Sequence, residues 1–212
     1  MLTIPTLQGR YVRVEPLAER HAPALAAALG DPALWAYIPW PTLRTEDDAR
    51  RYIAAAHAAA ADGTQAPFAI IDLRTGALAG TTRYTDVTPA HRGLEIGWTI
   101  LGPAWQRTPV NTETKLLLLR HAFETLTLPA PAPAPIGTPA TVTGCLRVQL
   151  KCDARNERSQ RVILRLGATF EGRLRKHRVM PDGYIRDTMM YSITDDDWPG
   201  VKAKLEVYLQ GD

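Results

Sequence analysis

The chain has 212 residues, of which 45% are hydrophobic and 22% charged, with a formal net charge of +3. These proportions exclude disorder and fibrous repeats, and the length suits one generous domain, 1–212. The longest aliphatic run, Leu116 to Leu119, is far short of the about 20 apolar residues of a membrane span, and Met1 to Arg10 lacks the regions of a signal peptide, so a cytoplasmic protein without a membrane partner is expected.

Tyr11 to Glu15 alternates polar and apolar residues up to Pro16 and reads as a first strand. An alanine-rich helix follows from Ala18 to Leu29, closed by Gly30. Leu34 to Pro41, with Trp35, Tyr37 and Trp40 among prolines, reads as a loop. Thr45 and Asp48 have capping-box spacing, and Ala49, Tyr52, Ile53 and Ala56 share one face of the helix they start, which runs to about Ala61. Phe68 to Asp72 and Ala77 to Asp86, joined through Arg74-Thr75-Gly76, form a hairpin. In the next strand, Leu94 to Ile100, alternation assigns Leu94, Ile96 and Trp98 to one face and Glu95, Gly97 and Thr99 to the other. A glutamate sharing its face with a glycine leaves room for something to approach.

Gly102 to Thr108 leads into a helix predicted over Pro109 to Leu126, with a core stripe of Leu116, Leu119, Phe123 and Leu126. The Pro/Ala-rich segment 129–141 cannot propagate a helix and is expected as an extended surface loop insertion; it lacks the flanking basic residues of a ligand for a proline-reading module. Leu146 to Asp153 is a strand, Asn156 to Leu166 a helix closed by Gly167, and Phe170 to Val179 with Tyr184 to Ser192 a second hairpin across Pro181-Asp182-Gly183. The last helix, Trp198 to Leu209, places Val201, Leu205, Tyr208 and Leu209 on one side. The order β-α-α-β-β-β-α-β-α-β-β-α belongs to the α+β class, a mixed sheet interrupted by helices.

Cys145 and Cys152 are an odd number of positions apart, so a strand containing both would point them to opposite faces. The five histidines are scattered and no CxxC, HExxH or Asp-rich calcium loop occurs, so no metal is expected. Charge is unevenly spread: Cys145 to Ile193 holds eleven Lys/Arg against five Asp/Glu, a net +6, and the remainder is −3. That asymmetry suits either a solvated basic face or an anionic partner, whether nucleic acid, an acidic surface or a phosphorylated cofactor. Nucleic acid ranks last, because the interleaved aromatics of a single-strand binding face are missing.

Three segments carry chemistry. A strand bearing Glu95 runs through the loop Gln106-Arg107-Thr108 into a helix N-terminus, whose free N–H groups can receive an anion. Asn156 and Ser159 open a second helix, as caps or as ligand contacts, and Gly167 to Gly172 leads into the hairpin that ends at Tyr191-Ser192. In this order the segments resemble the GNAT superfamily and, within it, the RimJ/RimL-like protein N-acetyltransferases. The resemblance runs from Leu7-Gln-Gly-Arg10 to Trp198-Pro199 and is most specific at Glu95-Ile-Gly-Trp98, Val110-Asn-Thr-Glu113 and Asn156-Glu-Arg-Ser159 with Leu166-Gly167.

The resemblance implies a central, mostly antiparallel sheet of about seven strands, helices on both faces, and a strand pair, Leu94 to Ile100 and Leu146 to Cys152, splayed to admit acetyl-CoA. It implies cofactor contacts from Trp98, Thr99, Gln106, Arg107, Thr108, Val110, Asn111, Thr112, Asn156 and Ser159. The family's pyrophosphate loop has small residues where this chain has Pro109 and Asn111. Proline lacks an N–H but suits the first helical position, so Thr108 should cap the helix while one phosphate donor is lost. Ser159 is implied near the cofactor sulfur. Glu95 is the expected base, against the alternative of a salt bridge to Arg83 or Arg92. Trp35, Tyr37, Trp40, Tyr184 and Tyr191 are candidate acceptor contacts, against a packing role for each. The acceptor is expected to be a protein or peptide N-terminal α-amine, whose reference pKa of about 7.7–8.0 asks less of a base than the about 10.4 of lysine. A small amine (antibiotic, polyamine or metabolite) and a catalytically weak acyl-CoA-binding module are the alternatives, with monomer and homodimer both open.

Overall fold

A computed structural model describes residues 4–130 and 140–211, so most of the Pro/Ala-rich segment lies outside the described residues. Eight strands form one sheet. The short β1 (Leu7–Gln8), which alternation missed, pairs with β2 (Val12–Pro16). The ladder continues antiparallel through β3 (Ala66–Asp72), β4 (Leu78–Thr88) and β5 (Gly93–Leu101). On the far side, β8 (Arg147–Asp153) pairs with β10 (Ile185–Thr194), and β10 with the edge strand β9 (Thr169–Val179). A separate two-strand ladder, β6 (Thr127–Pro129) with β7 (Thr141–Thr143), brackets the Pro/Ala-rich segment.

The halves of the main sheet join through β5 and β8, parallel over only three pairs: Gly93 with Arg147, Leu94 with Val148, and Glu95 with Gln149. Beyond Glu95 and Gln149 the strands pair no further, which leaves a V-shaped opening in the middle of the sheet.

On one face lie α1 (Ala22–Leu29) and α2 (Glu46–Ala60). The helix predicted from Ala18 begins instead with a 3₁₀ turn at Glu19–His21, and Pro23 stands in the first turn of α1, where its missing N–H costs nothing. The Thr45 hydroxyl accepts from the Asp48 N–H at 3.1 Å and Asp48 accepts from the Thr45 N–H at 2.8 Å, the reciprocal capping box.

The other face carries α3 (Pro109–Arg120), α4 (Glu157–Leu166) and α5 (Trp198–Gln210). Val110 and every residue from Thr112 to Leu119 are buried, because α3 lies between the sheet and α5. Tyr84 of β4 ties it to the sheet by donating to the Leu118 carbonyl at 2.6 Å. The helix predicted to Leu126 is α-helical only to Arg120; a π turn, His121–Thr125, follows.

Glu113 anchors this frame. Its buried carboxylate accepts from the backbone N–H groups of Arg10, Tyr11 and Val12 at 2.8, 2.6 and 2.7 Å. A β-carbon at Gly9 would stand 2.3 Å from the same carboxyl carbon, so the glycine is what lets α3 close on the first strands. Cys145 precedes β8 and Cys152 lies within it; both are buried free thiols.

Candidate active site

The V opens into a cavity of about 1240 Å³. That exceeds the roughly 300–1,000 Å³ of an ordinary small-molecule site, as a place where two substrates meet should. Of the residues singled out above, Tyr37, Glu95, Trp98, Thr99, Gln106, Arg107, Thr108, Asn111, Thr112, Asn156 and Ser159 line it.

Glu95 is 2% exposed and points to the α1/α2 side of the sheet, opposite Leu94 and Ile96, which join the core on the α3 side. Its carboxylate folds over Gly97, where a β-carbon would meet Oε1 at 2.5 Å. The alternative, a salt bridge to Arg83 or Arg92, does not form. Arg83 stacks on the rings of Tyr52 and Trp98, at 4.8 and 4.3 Å from their centroids, and Arg92 donates to the carbonyls of Thr143 and Gly144. The partners are Lys151 Nζ at 2.6 Å and Gln149 Nε2 at 3.0 Å, both from β8. Burial nevertheless prevails and holds the Glu95 pKa above the ordinary carboxylate value.

The simple alternation of β5 fails after Gly97. Arg83 faces Gly97 but Thr81 faces Ile100, so β5 carries one extra residue, and Trp98 takes up the bulge with a φ of 53°. Trp98 therefore stays on the face of Glu95, packed with the α1/α2 cluster, while Thr99 turns toward α3; the two are inverted from their expected faces. There Thr99 accepts a hydrogen bond from Lys115 Nζ at 2.6 Å. Lys115 lines the cavity at 5% exposure, and burial pushes its pKa down to about 7.

Thr108 is the N-cap of α3 and Pro109 its first residue, as the sequence predicts, with the cap bond from the Val110 N–H long at 3.4 Å. Arg107 takes a φ of 63°, and among the described residues the amides of Arg107 and Thr108 find no acceptor, so two donors remain for an anion. Asn156 Oδ1 caps α4 by accepting from the Ser159 N–H at 3.0 Å, which leaves its Nδ2 free for a ligand. The Ser159 hydroxyl lies beside the Cys152 thiol, whose pKa burial pushes up to about 11.

Five candidates do not line the cavity. Val110 is buried in the core. Trp35 is 5% exposed, its Nε1 donates to the Leu29 carbonyl, and Trp35 and Trp40 both meet the Tyr52 ring edge-on. Tyr191 is 2% exposed against Phe170. Tyr184 stacks on Arg155, whose guanidinium also approaches Tyr37, so it shapes the rim at second hand. Sequence reasoning missed Lys115 and Lys151. The first lies four residues after Asn111 on the same helical face, a signal that spacing holds; the second shares the polar side of β8 with Gln149. Among the described residues no group of three or more His, Cys, Asp or Glu could hold a metal, and no helix is long and apolar enough to cross a membrane.

A mixed sheet parted between β5 and β8, with a cavity at the break, is the frame of an N-acetyltransferase, and the family match bears this out. The chain belongs to the GNAT acetyltransferase domain family, which matches residues 12–169. It is similar to a protein from T. thermophilus assigned as an acetyltransferase, at 37% identity over 99% of this chain and 100% of that one, with a TM-score of 0.82. It is also similar to a GCN5-related N-acetyltransferase from Brucella melitensis, at 28% identity over 97% and 85% of the two chains and a TM-score of 0.84. At 19% identity it shares the fold of RimL, a ribosomal L7/L12 α-N-protein acetyltransferase in complex with coenzyme A, over 91% and 99% of the chains with a TM-score of 0.70. No curated protein matches the chain in sequence.

Proposed function

We propose that this chain is a single GNAT domain that transfers the acetyl group of acetyl-CoA to the N-terminal α-amine of a protein or peptide, with Glu95 as the base. The observation that carries the reading is Glu95 itself: a buried carboxylate with a raised pKa, lining the cavity beside the point where β5 and β8 part. The likeness to RimL supports the acceptor class, and acetyl-CoA suits the opening.

Arg107, Thr108 and the first turn of α3 would take the pyrophosphate, and Asn156 Nδ2 the pantetheine arm. Glu95, directly or through a water, removes a proton from the incoming ammonium, and the neutral amine attacks the thioester carbonyl. As the nitrogen–carbon bond forms, the carbon–sulfur bond breaks, and the CoA thiolate, next to the Ser159 hydroxyl, leaves as the thiol with the second proton given up by the attacking nitrogen. Neither a metal nor a covalent enzyme intermediate is required by this route.

The test is to incubate the protein with acetyl-CoA and a mixture of short peptides and small amines, following free thiol and product mass. Glu95→Gln should lower turnover about 10²–10⁴-fold with much less effect on CoA affinity. The acidic limb of the rate profile should lie above the ordinary carboxylate range, since a base whose pKa is raised loses its proton later as pH rises. Normal turnover of this variant from about pH 6 to 9, spanning the α-amine reference, would make the carboxylate structural, and products confined to small amines would displace the peptide acceptor.

A further inference from the structure

Two of the eleven cations between Cys145 and Ile193, Arg178 and Arg186, line the cavity with no part in the proposed mechanism. Arg186 of β10 is 6% exposed and lines the cavity. Its Nε donates to Thr188 Oγ1 at 3.1 Å, and among the described residues it forms no ion pair. The neighbouring acids are already engaged: Asp153 with Arg155 at 3.0 Å, Glu95 with Lys151 at 2.6 Å, Asp86 with Lys151 at 3.1 Å, and Asp187 with Arg173.

Directly across the ladder stands Arg178 of β9, a second cavity-lining guanidinium with no ion pair among the described residues. Like charges facing each other on adjacent strands repel, and burial adds to the cost of holding Arg186 charged. Strand alternation puts Arg186 with Thr188 and Met190, and Met190 faces Lys151, so both arginines flank the sheet face on which Glu95 lies. That is the side away from α3 and its free amides.

We propose that Arg186, assisted by Arg178, forms an anion subsite on the acceptor side of the cavity, and that the acceptor carries a carboxylate close to its reacting amine. This rests on the acetyltransferase reading given above. A planar guanidinium with free N–H groups suits bidentate recognition of a carboxylate. The carboxylate has two sources, an acidic side chain in the first residues of a peptide or the α-carboxylate of a free amino acid.

The experiment is calorimetric titration of the CoA-saturated protein with Ser-Glu-Glu-Ala amide, Ser-Ala-Ala-Ala amide, free glutamate and glutamate α-amide, parallel to acetylation assays on the same four. The acidic peptide should bind at least about tenfold tighter than the neutral one. Arg186→Gln should erase that difference, and Arg186→Lys should keep part of it. If free glutamate binds as well as the peptide while its α-amide does not, the α-carboxylate is the group recognised. Should Arg186→Gln fail to fold, Arg178→Gln on the exposed strand serves instead, and the preference must fall. Equal affinities in the wild type, or a preference that survives both variants, overturns the subsite. Loss of CoA affinity with unchanged acid preference would assign the cation to the cofactor and overturn it as well. Acid-selective binding without acetylation of any probe sinks the acceptor reading while leaving the subsite standing.

Discussion

Lys115→Met tests the electrostatics of the cavity most directly. The lysine is 5% exposed, hydrogen-bonded to Thr99, and held by burial at a pKa of about 7, down from 10.5. Between those two values the unfolded chain binds more protons than the folded one, so wild-type stability rises as pH rises from about 7 toward 10.5. The contribution is present above the unfolded value and lost as pH falls through the folded one. At 1.36 kcal/mol per pKa unit, the displacement from 10.5 to about 7 means that holding the ammonium buried costs on the order of 5 kcal/mol below neutrality. Methionine keeps the length and removes the charge, and it forfeits one hydrogen bond worth about 1 kcal/mol. The variant should therefore be the more stable protein at pH 6 by roughly 4 kcal/mol, or about 8–16 °C in Tm for a chain of this size, with the advantage gone by pH 10. Denaturant unfolding of both proteins at pH 6, 8 and 10 measures it. A stability difference independent of pH, or a variant less stable at pH 6, would refute the buried-ammonium argument.

Gly97→Ala places a β-carbon 2.5 Å from Glu95 Oε1, closer than the two atoms can stand, so the carboxylate must move although the fold survives. Turnover should fall about 10²-fold with little change in Tm, and a normal rate would show that the carboxylate position is not critical. Glu113→Gln leaves one of three backbone N–H groups facing a donor and should cost roughly 2–3 kcal/mol of unfolding free energy; a loss under about 0.5 kcal/mol would contradict the anchoring role. Pro109→Gly restores an N–H in the first turn of α3 and should tighten CoA about tenfold by calorimetry, with a slight loss of stability from glycine's chain entropy. Unchanged or weaker binding would mean that this amide is not aimed at the phosphates.

The sequence by itself determined what depends on local periodicity and caps. Thr45 with Asp48, Thr108 with Pro109, Asn156 and Gly167 fix where helices begin or end through bonds within a few residues, and the alternation of β2 and β8 sorts residues between core and opposite face. The ordered segments around Glu95, Val110 and Asn156 sufficed for the family and the fold class. The tertiary structure decided what depends on partners far apart in the chain. Lys151 rather than Arg83 or Arg92 meets Glu95 because β5 and β8, more than fifty residues apart, run side by side for only three pairs. Trp98 and Thr99 exchange faces because one extra residue enters β5 against β4, which a period of two read from one strand cannot register. Glu113 belongs to the motif that carries the family resemblance, yet its carboxylate holds the amides of Arg10 to Val12 instead of lining the cavity, a contact spanning about a hundred positions. Trp35 and Tyr191, legible only as aromatics in the right neighbourhood, are buried because the sheet and helices close over them. Burial is a property of the assembled fold, and it is also what displaces the proton affinities of Glu95 and Lys115.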